Sequence, residues 1–276
     1  MQDETNPDGL NSKQKDINDD PAYWDHFDRW WDQDFSWDGL ANKNIYNSGQ
    51  TLQNYWWDER EDLIEFAKKK WTRFHLPFHD KDGNLSPRHE FTEDQIAQWQ
   101  QEITKKLDEA STKQVAQFTG VIFPENFMST RPRTADPDMD IHLRADWARF
   151  GDNASCSDLI FSGNANFSNA QFGPGASFNN AQFNGSANFT KTQFDDDTSF
   201  EKAKFEGVAD FGGARFRIAA NFVDAEFKDR AIFTKAQFVP IRNFHQSKVF
   251  RRLLFCWPAV RRTTKDDKDC RRFRFF

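Results

Sequence analysis

The residues that come closest to forming a reactive or metal-binding group lie in one short stretch with two histidines and two aspartates. His75, His79, Asp80 and Asp82 are of the types that bind zinc or calcium. Pro77 prevents a single helix from bringing the two histidines together. On an extended strand they would lie about 13 Å apart, too far to share one ion. The aspartates also miss the spacing of an EF-hand loop. The stretch therefore predicts a turn between strands and no metal site.

No other pattern of catalytic or cofactor-binding residues stands out in the chain. There is no Ser-His-Asp order and no glycine-rich phosphate loop. Cys156, Cys256 and Cys270 form neither a CxxC pair nor an even disulfide framework. We therefore predict no catalytic residue, no cofactor and a protein that is not an enzyme. An enzyme whose site is assembled from distant residues of the N-terminal region stays open as an alternative.

The strongest pattern is a recurrence of Phe at alternating steps of five and six residues, from Ala148 to about Gln246. Steps of five and six do not keep one face of an α-helix, so a long helix is excluded. The residue two before each position is usually Ala, and residues two apart point to the same side of a strand. The predicted core positions are Phe150, Cys156, Phe161, Phe167, Phe172, Phe178, Phe183, Phe189, Phe194, Phe200, Phe205, Phe211, Phe216, Phe222, Phe227, Phe233, Phe238 and Phe244.

Short turns separate these three-residue strands. The intervening residues are often Asn, Gly, Asp or Ser, which favour turns. A short strand and a turn, repeated, wind into a solenoid whose coils lie about 4.8 Å apart. Two consecutive eleven-residue units predict one coil of about 22 residues.

The A-[DN]-F-x-x pattern resembles the pentapeptide-repeat family. It is carried by Ala165-Asn166-Phe167, Ala187-Asn188-Phe189 and Ala209-Asp210-Phe211. The resemblance implies a mainly β fold, a right-handed quadrilateral β-helix, with Phe stacked inside and Ala packed beside it. The chain departs from the simplest family pattern by one extra residue in every second unit, which predicts a wider corner.

Composition divides the chain into four segments. Residues 1–20 are polar and predict a disordered leader. Residues 21–113 form a Trp-rich acidic head, mixed and partly helical, with helices predicted over 58–73 and about 93–110. Residues 114–246 form the β-helix, with an inserted loop at about 124–147. Residues 247–276 form a basic C-terminal cap and tail, whose abrupt change in composition after Pro258 suggests a displaced reading frame or a truncated chain.

Candidate contact residues come from the head and from two outward columns of the solenoid. In the head, Trp30, Trp31 and Trp37 are candidates for a binding surface, and burial against the rest of the head is the competing interpretation. In the solenoid, residues separated by one coil are predicted to stack on each other. Lys204 then lies between Gln182 and Glu226, and Arg215 lies between Gln193 and Gln237; a solvated β face is the competing interpretation.

Charge and apolar content constrain the partners. Residues 1–149 carry a net charge of −11, residues 150–245 of −2 and residues 246–276 of +7. No apolar run approaches the length of roughly 18 residues at which a transmembrane helix becomes a candidate, so no such segment is predicted. The polar, acidic start argues against a secretory signal and favours a cytoplasmic protein. The head resembles the region that precedes the repeats in some bacterial members of the family, which implies a bacterial protein. Residues 248–257 fit an amphipathic helix that caps the solenoid, with a membrane-surface contact as the alternative.

These patterns favour a non-catalytic interaction or scaffold protein whose partner is another protein. The resemblance offers a second hypothesis, a DNA-mimic binder of a topoisomerase such as gyrase, because some pentapeptide-repeat proteins bind such enzymes. A long and strongly acidic array is expected for that activity, and this one is short and nearly neutral. A homodimer is a further option. Direct nucleic-acid binding through the basic tail is not expected.

Overall fold

The computed structural model describes residues 21–45, 50–113, 115–124 and 141–238. Their internal contacts divide them into an N-terminal unit, which ends at Pro87, and a repeat unit, which begins at Arg88. The predicted helix at about 93–110 therefore belongs to the repeat unit. The predicted leader, the basic C-terminal segment and most of the inserted loop lie outside the described residues.

The N-terminal unit is built from short elements. Its helices are α1 (Pro21–Asp32), α2 (Trp37–Ala41) and α3 (Leu52–Tyr55), with a 3₁₀ helix over Trp57–Asp62. Its strands are β1 (Asn44–Ile45), β2 (Gln50–Thr51), β3 (Ile64–Phe66) and β4 (Lys69–Trp71). Ser36 and Thr51 cap α2 and α3, since each hydroxyl accepts a backbone N–H at 3.3 Å.

The helix predicted over 58–73 is wrong. Strands β3 and β4 form an antiparallel hairpin there, with Ile64 opposite Trp71. The two turn residues between the strands, Ala67 and Lys68, have φ values of 50° and 61°. Two consecutive left-handed residues suit the twist of a two-residue hairpin and end any helix. The apolar residues of this stretch match a helical spacing by coincidence. Along β3 they alternate with a polar residue, which is the spacing of the strand that forms.

Aromatic rings fill the core of the N-terminal unit. Trp30, Trp56 and Trp71 are fully buried. Trp30 and Trp71 stack with ring centroids 6.3 Å apart, and Trp56 lies 4.7 Å from Phe74. Such large side chains bury enough apolar area to stabilise a unit with little regular structure.

The repeat unit begins with a 3₁₀ helix that ends at Glu90, followed by α4 (Glu93–Lys113). A capping box begins this helix: the Thr92 N–H donates to Gln95 Oε1 at 2.8 Å, and the Gln95 N–H donates to Thr92 Oγ1 at 3.3 Å. The Arg88 guanidinium is buried over the Trp99 ring at 4.1 Å and donates to the Ile122 carbonyl at 3.0 Å. Arg88 thus joins the start of this unit to the first coil.

The repeats form a parallel β-solenoid of about four turns. Adjacent coils pair at an offset of two eleven-residue units, as Gln171 with Gln193 shows. Its strands are β5 (Val115–Gln117), β6 (His142–Arg144), β7 (Arg149–Phe150), β8 (Ile160–Phe161), β9 (Ala165–Asn166), β10 (Gln171–Phe172), β11 (Gln182–Phe183), β12 (Ala187–Asn188), β13 (Gln193–Phe194), β14 (Thr198–Ser199), β15 (Lys204–Phe205), β16 (Ala209–Asp210), β17 (Arg215–Phe216), β18 (Ala220–Asn221), β19 (Glu226–Phe227), β20 (Ala231–Ile232) and β21 (Gln237–Phe238).

The strands stack into four faces, named here in chain order. The first face contains β5, β6, β9, β12, β16 and β20, and the second contains β7, β10, β13, β17 and β21. The third contains β14 and β18, extended by the bridges of Ser177 to Ser155 and Ser199. The fourth contains β8, β11, β15 and β19. The right-handed winding stays a prediction.

Regular winding starts earlier than the Phe pattern indicates. Strand β6 pairs with β9, with Leu143 opposite Ala165, inside the range predicted as the inserted loop. The coil therefore resumes by residue 142 instead of after 147. The next lattice position along the chain is Ala145, which is buried but is not Phe, so the sequence pattern did not include it.

Alternating steps of five and six residues reflect two kinds of corner. After the first and third faces, the Phe carbonyl accepts the N–H of the residue three positions on, as for Phe178 and Ala181 at 3.1 Å. The residue before that donor has a positive φ, for example 56° at Asn180 and 56° at Lys202. This is the geometry of a type II turn. The six-residue steps follow the second and fourth faces.

Candidate interaction surface

The predicted core positions line the inside of the solenoid. Phe150, Cys156 and every predicted position from Phe167 to Phe227 are buried. Phe161, Phe233 and Phe238 are half-buried, and Phe244 lies outside the described residues.

Rings at equivalent positions of successive coils stack face to face within each column. Phe183 and Phe205 have centroids 4.8 Å apart and planes within 1°. Rings of the first and third faces meet edge to face across the core, as for Phe189 and Phe200 at 5.5 Å and 87°. Both geometries are favourable for aromatic rings. The outer faces are therefore supported by a close-packed core.

The Asn and Asp residues before the first-face Phe residues have a structural role. Asn166, Asn188 and Asp210 accept the backbone N–H two residues on, at 3.0, 2.9 and 2.7 Å. Each side chain thereby fixes the start of the following turn. This polar ladder explains the A-[DN]-F pattern without a ligand.

The two predicted outward columns have the expected register. Lys204 pairs with Gln182 on one side and Glu226 on the other. Arg215 pairs with Gln193 and Gln237. Both basic side chains are half-buried.

The second face carries a hydrogen-bonded polar cluster that the sequence did not reveal. Gln171 Nε2 donates to Asp195 Oδ2 at 2.6 Å, and Gln193 Nε2 donates to Asp195 Oδ1 at 2.9 Å. Burial raises the pKa of Asp195, although these donors and nearby Arg217 and Arg149 oppose the rise.

The same cluster contains buried polar atoms without a hydrogen-bond partner, Gln171 Oε1 and Arg215 Nε. Unsatisfied buried polar atoms are uncommon in folded proteins. On the second face they lie in the same column as the Gln171 and Gln193 amides that Asp195 fixes.

The fourth face has a solvent-exposed ion pair. Lys228 Nζ lies 2.7 Å from Glu206 Oε1, one coil below it, and this partner raises the pKa of Lys228. Exposed pairs of this kind add little to stability. This pair therefore reports the register between two successive coils and does not indicate a binding site.

The tryptophans predicted as a binding surface of the head are mostly internal, which corrects that prediction. Trp30 is fully buried and Trp37 is 8% exposed, whereas Trp31 is half-buried. Trp30 packs against Phe35 at 5.5 Å in addition to Trp71. The competing interpretation, burial within the head, is therefore the one that the structure supports for Trp30 and Trp37.

Trp57 is the tryptophan that the sequence analysis missed as a surface residue. Its side chain is 56% exposed, and the Arg60 guanidinium lies 4.6 Å from its ring centroid. Its neighbour Trp56 is fully buried. The two tryptophans are adjacent in the sequence, so no sequence pattern distinguishes the exposed one from the buried one.

The two histidines that suggested metal chemistry pack among aromatic rings. His75 Nδ1 lies 2.8 Å from Thr72 Oγ1, and His79 Nδ1 donates to the Asp80 carbonyl at 2.9 Å. The His79 ring lies 4.3 Å from that of Phe27. Within the described ranges, no group of three or more His, Cys, Asp or Glu residues is arranged to hold a metal ion.

Helix α4 is the longest helix among the described residues, and neither it nor any other described helix combines the length and apolarity of a bilayer-crossing segment.

Comparison with known families and proteins adds one match. A family model described as pentapeptide repeats (9 copies) matches residues 157–204 and 200–245. No curated protein and no solved structure matched the chain in the other two comparisons.

Proposed function

Because residues 157–245 are pentapeptide repeats, we propose that this protein is a non-catalytic interaction or scaffold protein that binds another protein through the outer faces of its solenoid. We expect it to act in the bacterial cytoplasm. The observation that carries the proposal is the column of Arg149, Gln171, Gln193 and Arg215 on the second face, held in register over stacked Phe rings.

Preorganisation supports a binding role. Asp195 fixes the Gln171 and Gln193 amides, and these residues are each 4% exposed. They therefore order the column around the more accessible Arg215 instead of contacting a partner themselves, and little further ordering is needed when a partner binds. Arg215 adds a positive charge one coil above Gln193. A rigid polar face with an adjacent arginine suits an acidic and polar protein surface.

Binding to a topoisomerase as a DNA mimic is the second candidate, and the same face argues against it. A mimic of DNA needs rows of negative charge, whereas this column contains two arginines and no carboxylate.

A pull-down from a bacterial lysate with the full-length chain tests the proposal. The informative variant is Lys204→Gln/Arg215→Gln, because Gln already occupies neighbouring positions in both columns. The matched control is Lys70→Gln/Lys105→Gln, which removes two exposed charges elsewhere.

We expect one protein to be captured by the wild-type chain and the control, and to be lost with the outer-column variant. Equal capture by all three proteins would exclude these columns as the binding site. Capture of nothing would count against the interaction function, and capture of gyrase would favour the second candidate.

A further inference from the structure

The outward columns that flank the third face change character in the last described coil. Ile218 and Val223 lie on either side of β18 and are each 38% exposed. The residues one and two coils earlier are Asp196 and Pro174 in one column and Glu201 and Asn179 in the other. Two exposed aliphatic side chains therefore appear where the preceding coil has carboxylates.

These aliphatic side chains lie next to acidic groups. We name the set the acidic–apolar patch; it consists of Ile218, Val223, Asp196, Asp197, Glu201, Lys202 and Asp224. Four carboxylates and one ammonium give the patch a net charge of −3. A surface of this composition suits a partner that is apolar on one side and basic on the other.

The chain itself contains such a segment. Residues 247–257 place Val249, Phe250, Leu253, Leu254 and Trp257 at helical spacing. They also contain three basic residues, Lys248, Arg251 and Arg252, and no acidic residue. The segment has a charge of +3, opposite to that of the acidic–apolar patch.

The position of the patch along the chain fits this occupant. The coil period, continued in the sequence, assigns Phe244 to the column of Phe222 and His245 to the column of Val223. The segment thus begins two residues after a position that the period assigns to the patch. An eleven-residue helix is about 16 Å long, enough to span several coils.

We propose that residues 247–257 bind the acidic–apolar patch as an amphipathic helix that covers the C-terminal end of the third face. Its aliphatic and aromatic side chains cover Ile218 and Val223, and its basic side chains meet the surrounding carboxylates. An intramolecular occupant is favoured over a second copy because the short tether gives the segment a high effective concentration at the patch.

Cross-linking within the full-length chain tests the proposal. Val223→Cys, in a background with Cys270→Ser, places a thiol on the patch, and the native Cys256 supplies the second thiol within the segment. Cys156 is buried and does not compete. A short bismaleimide is the probe, and the linked peptides are identified by mass spectrometry.

Two matched variants separate docking from mere proximity. Thr234→Cys puts an exposed thiol in the last described coil but on the side away from the third face. Ile160→Cys replaces an isoleucine of similar exposure, 39%, three coils earlier. We expect about tenfold more intrachain link to Cys256 from Val223→Cys than from either control.

Each other outcome overturns the proposal. Equal linking from Val223→Cys and Thr234→Cys would show that the segment does not bind the patch. Dimers linked between chains would identify a second copy as the occupant. If Val223→Cys formed no link to Cys256, the segment would not lie at the patch. Binding of the wild-type chain to anionic vesicles would then identify a lipid surface as its partner.

Discussion

A Cβ atom built on Gly185 would lie 2.6 Å from the carbonyl carbon of Gly163, one coil earlier. The same relationship holds between Gly207 and Gly185, at 2.8 Å. At both glycines the backbone one coil earlier lies so close that an added methyl group would force a local shift of the neighbouring atoms. The β ladder holds the coils at a fixed spacing, so that shift costs free energy.

Gly185→Ala should therefore lower the free energy of unfolding, by about 1–3 kcal/mol. Chemical denaturation followed by circular dichroism measures the change. Ser186→Ala, at the next and exposed position, is the control and should change stability by less than about 0.5 kcal/mol. Similar stabilities of the two variants would mean that the coils do not approach as described.

Substitution by glycine should change stability in opposite directions at two lysines that lie two residues apart. Lys202 has a φ of 56°, whereas Lys204 lies in strand β15. The left-handed conformation costs a non-glycine residue roughly 1–2 kcal/mol. Glycine relieves that cost but loses about 0.5–1 kcal/mol through chain entropy.

We expect Lys202→Gly to raise the free energy of unfolding by up to about 1 kcal/mol and Lys204→Gly to lower it by a similar amount. Urea denaturation of the two variants beside the wild type provides the comparison. Loss of stability in both variants would contradict the turn geometry.

The Cys156 thiol should be inert in the folded protein. It occupies a core position, and burial raises its pKa to about 12. The thiolate is the reactive form, and it is scarcely populated near neutral pH. We expect iodoacetamide to leave the Cys156 peptide unlabelled until denaturant is added. Labelling of this peptide in the native protein at the rate of a free thiol would place Cys156 outside the core.

Asp195 should make stability depend on pH. Burial raises its pKa, so the folded state keeps the proton at pH values where the unfolded chain has released it. The stability gained from the protonated form is complete below the unfolded pKa and is lost as pH rises through the folded pKa.

The Asp195→Asn variant should therefore lose less stability than the wild type as pH rises from about 3 to about 7. Denaturation midpoints across that range give the comparison, and Asp196→Asn serves as the neighbouring control. If Asp195→Asn instead lost more stability on raising the pH, its carboxylate would be stabilised in the folded state.

The solenoid was predictable because one short period repeats with a single side-chain type. The period gives the inward Phe positions and the register between coils, and the columns of Lys204 and Arg215 follow from it. The earlier start of the coils was missed because Ala145 replaces Phe, which removes the signal but keeps the backbone path.

The N-terminal unit was less predictable because no period constrains it. The hairpin at residues 64–71 depends on two left-handed residues that local propensity does not favour, Ala67 and Lys68. The exposure of Trp57 and the burial of Trp56 depend on tertiary packing. The Asp195 cluster was missed because its donors, Gln171 and Gln193, become neighbours of Asp195 only through the coil geometry.

Every outward column assigned above depends on a coil made of two eleven-residue units, and coupling between core rings tests it most directly. Phe183 and Phe205 stack at 4.8 Å, whereas Phe183 and Phe216 lie on different faces and in different coils. A double-mutant cycle of Phe→Leu changes, measured by chemical denaturation, compares the two pairs. We predict a coupling energy of about 0.5–1.5 kcal/mol for Phe183 with Phe205 and about zero for Phe183 with Phe216. Equal coupling in both pairs, or none in the first, would contradict the coil.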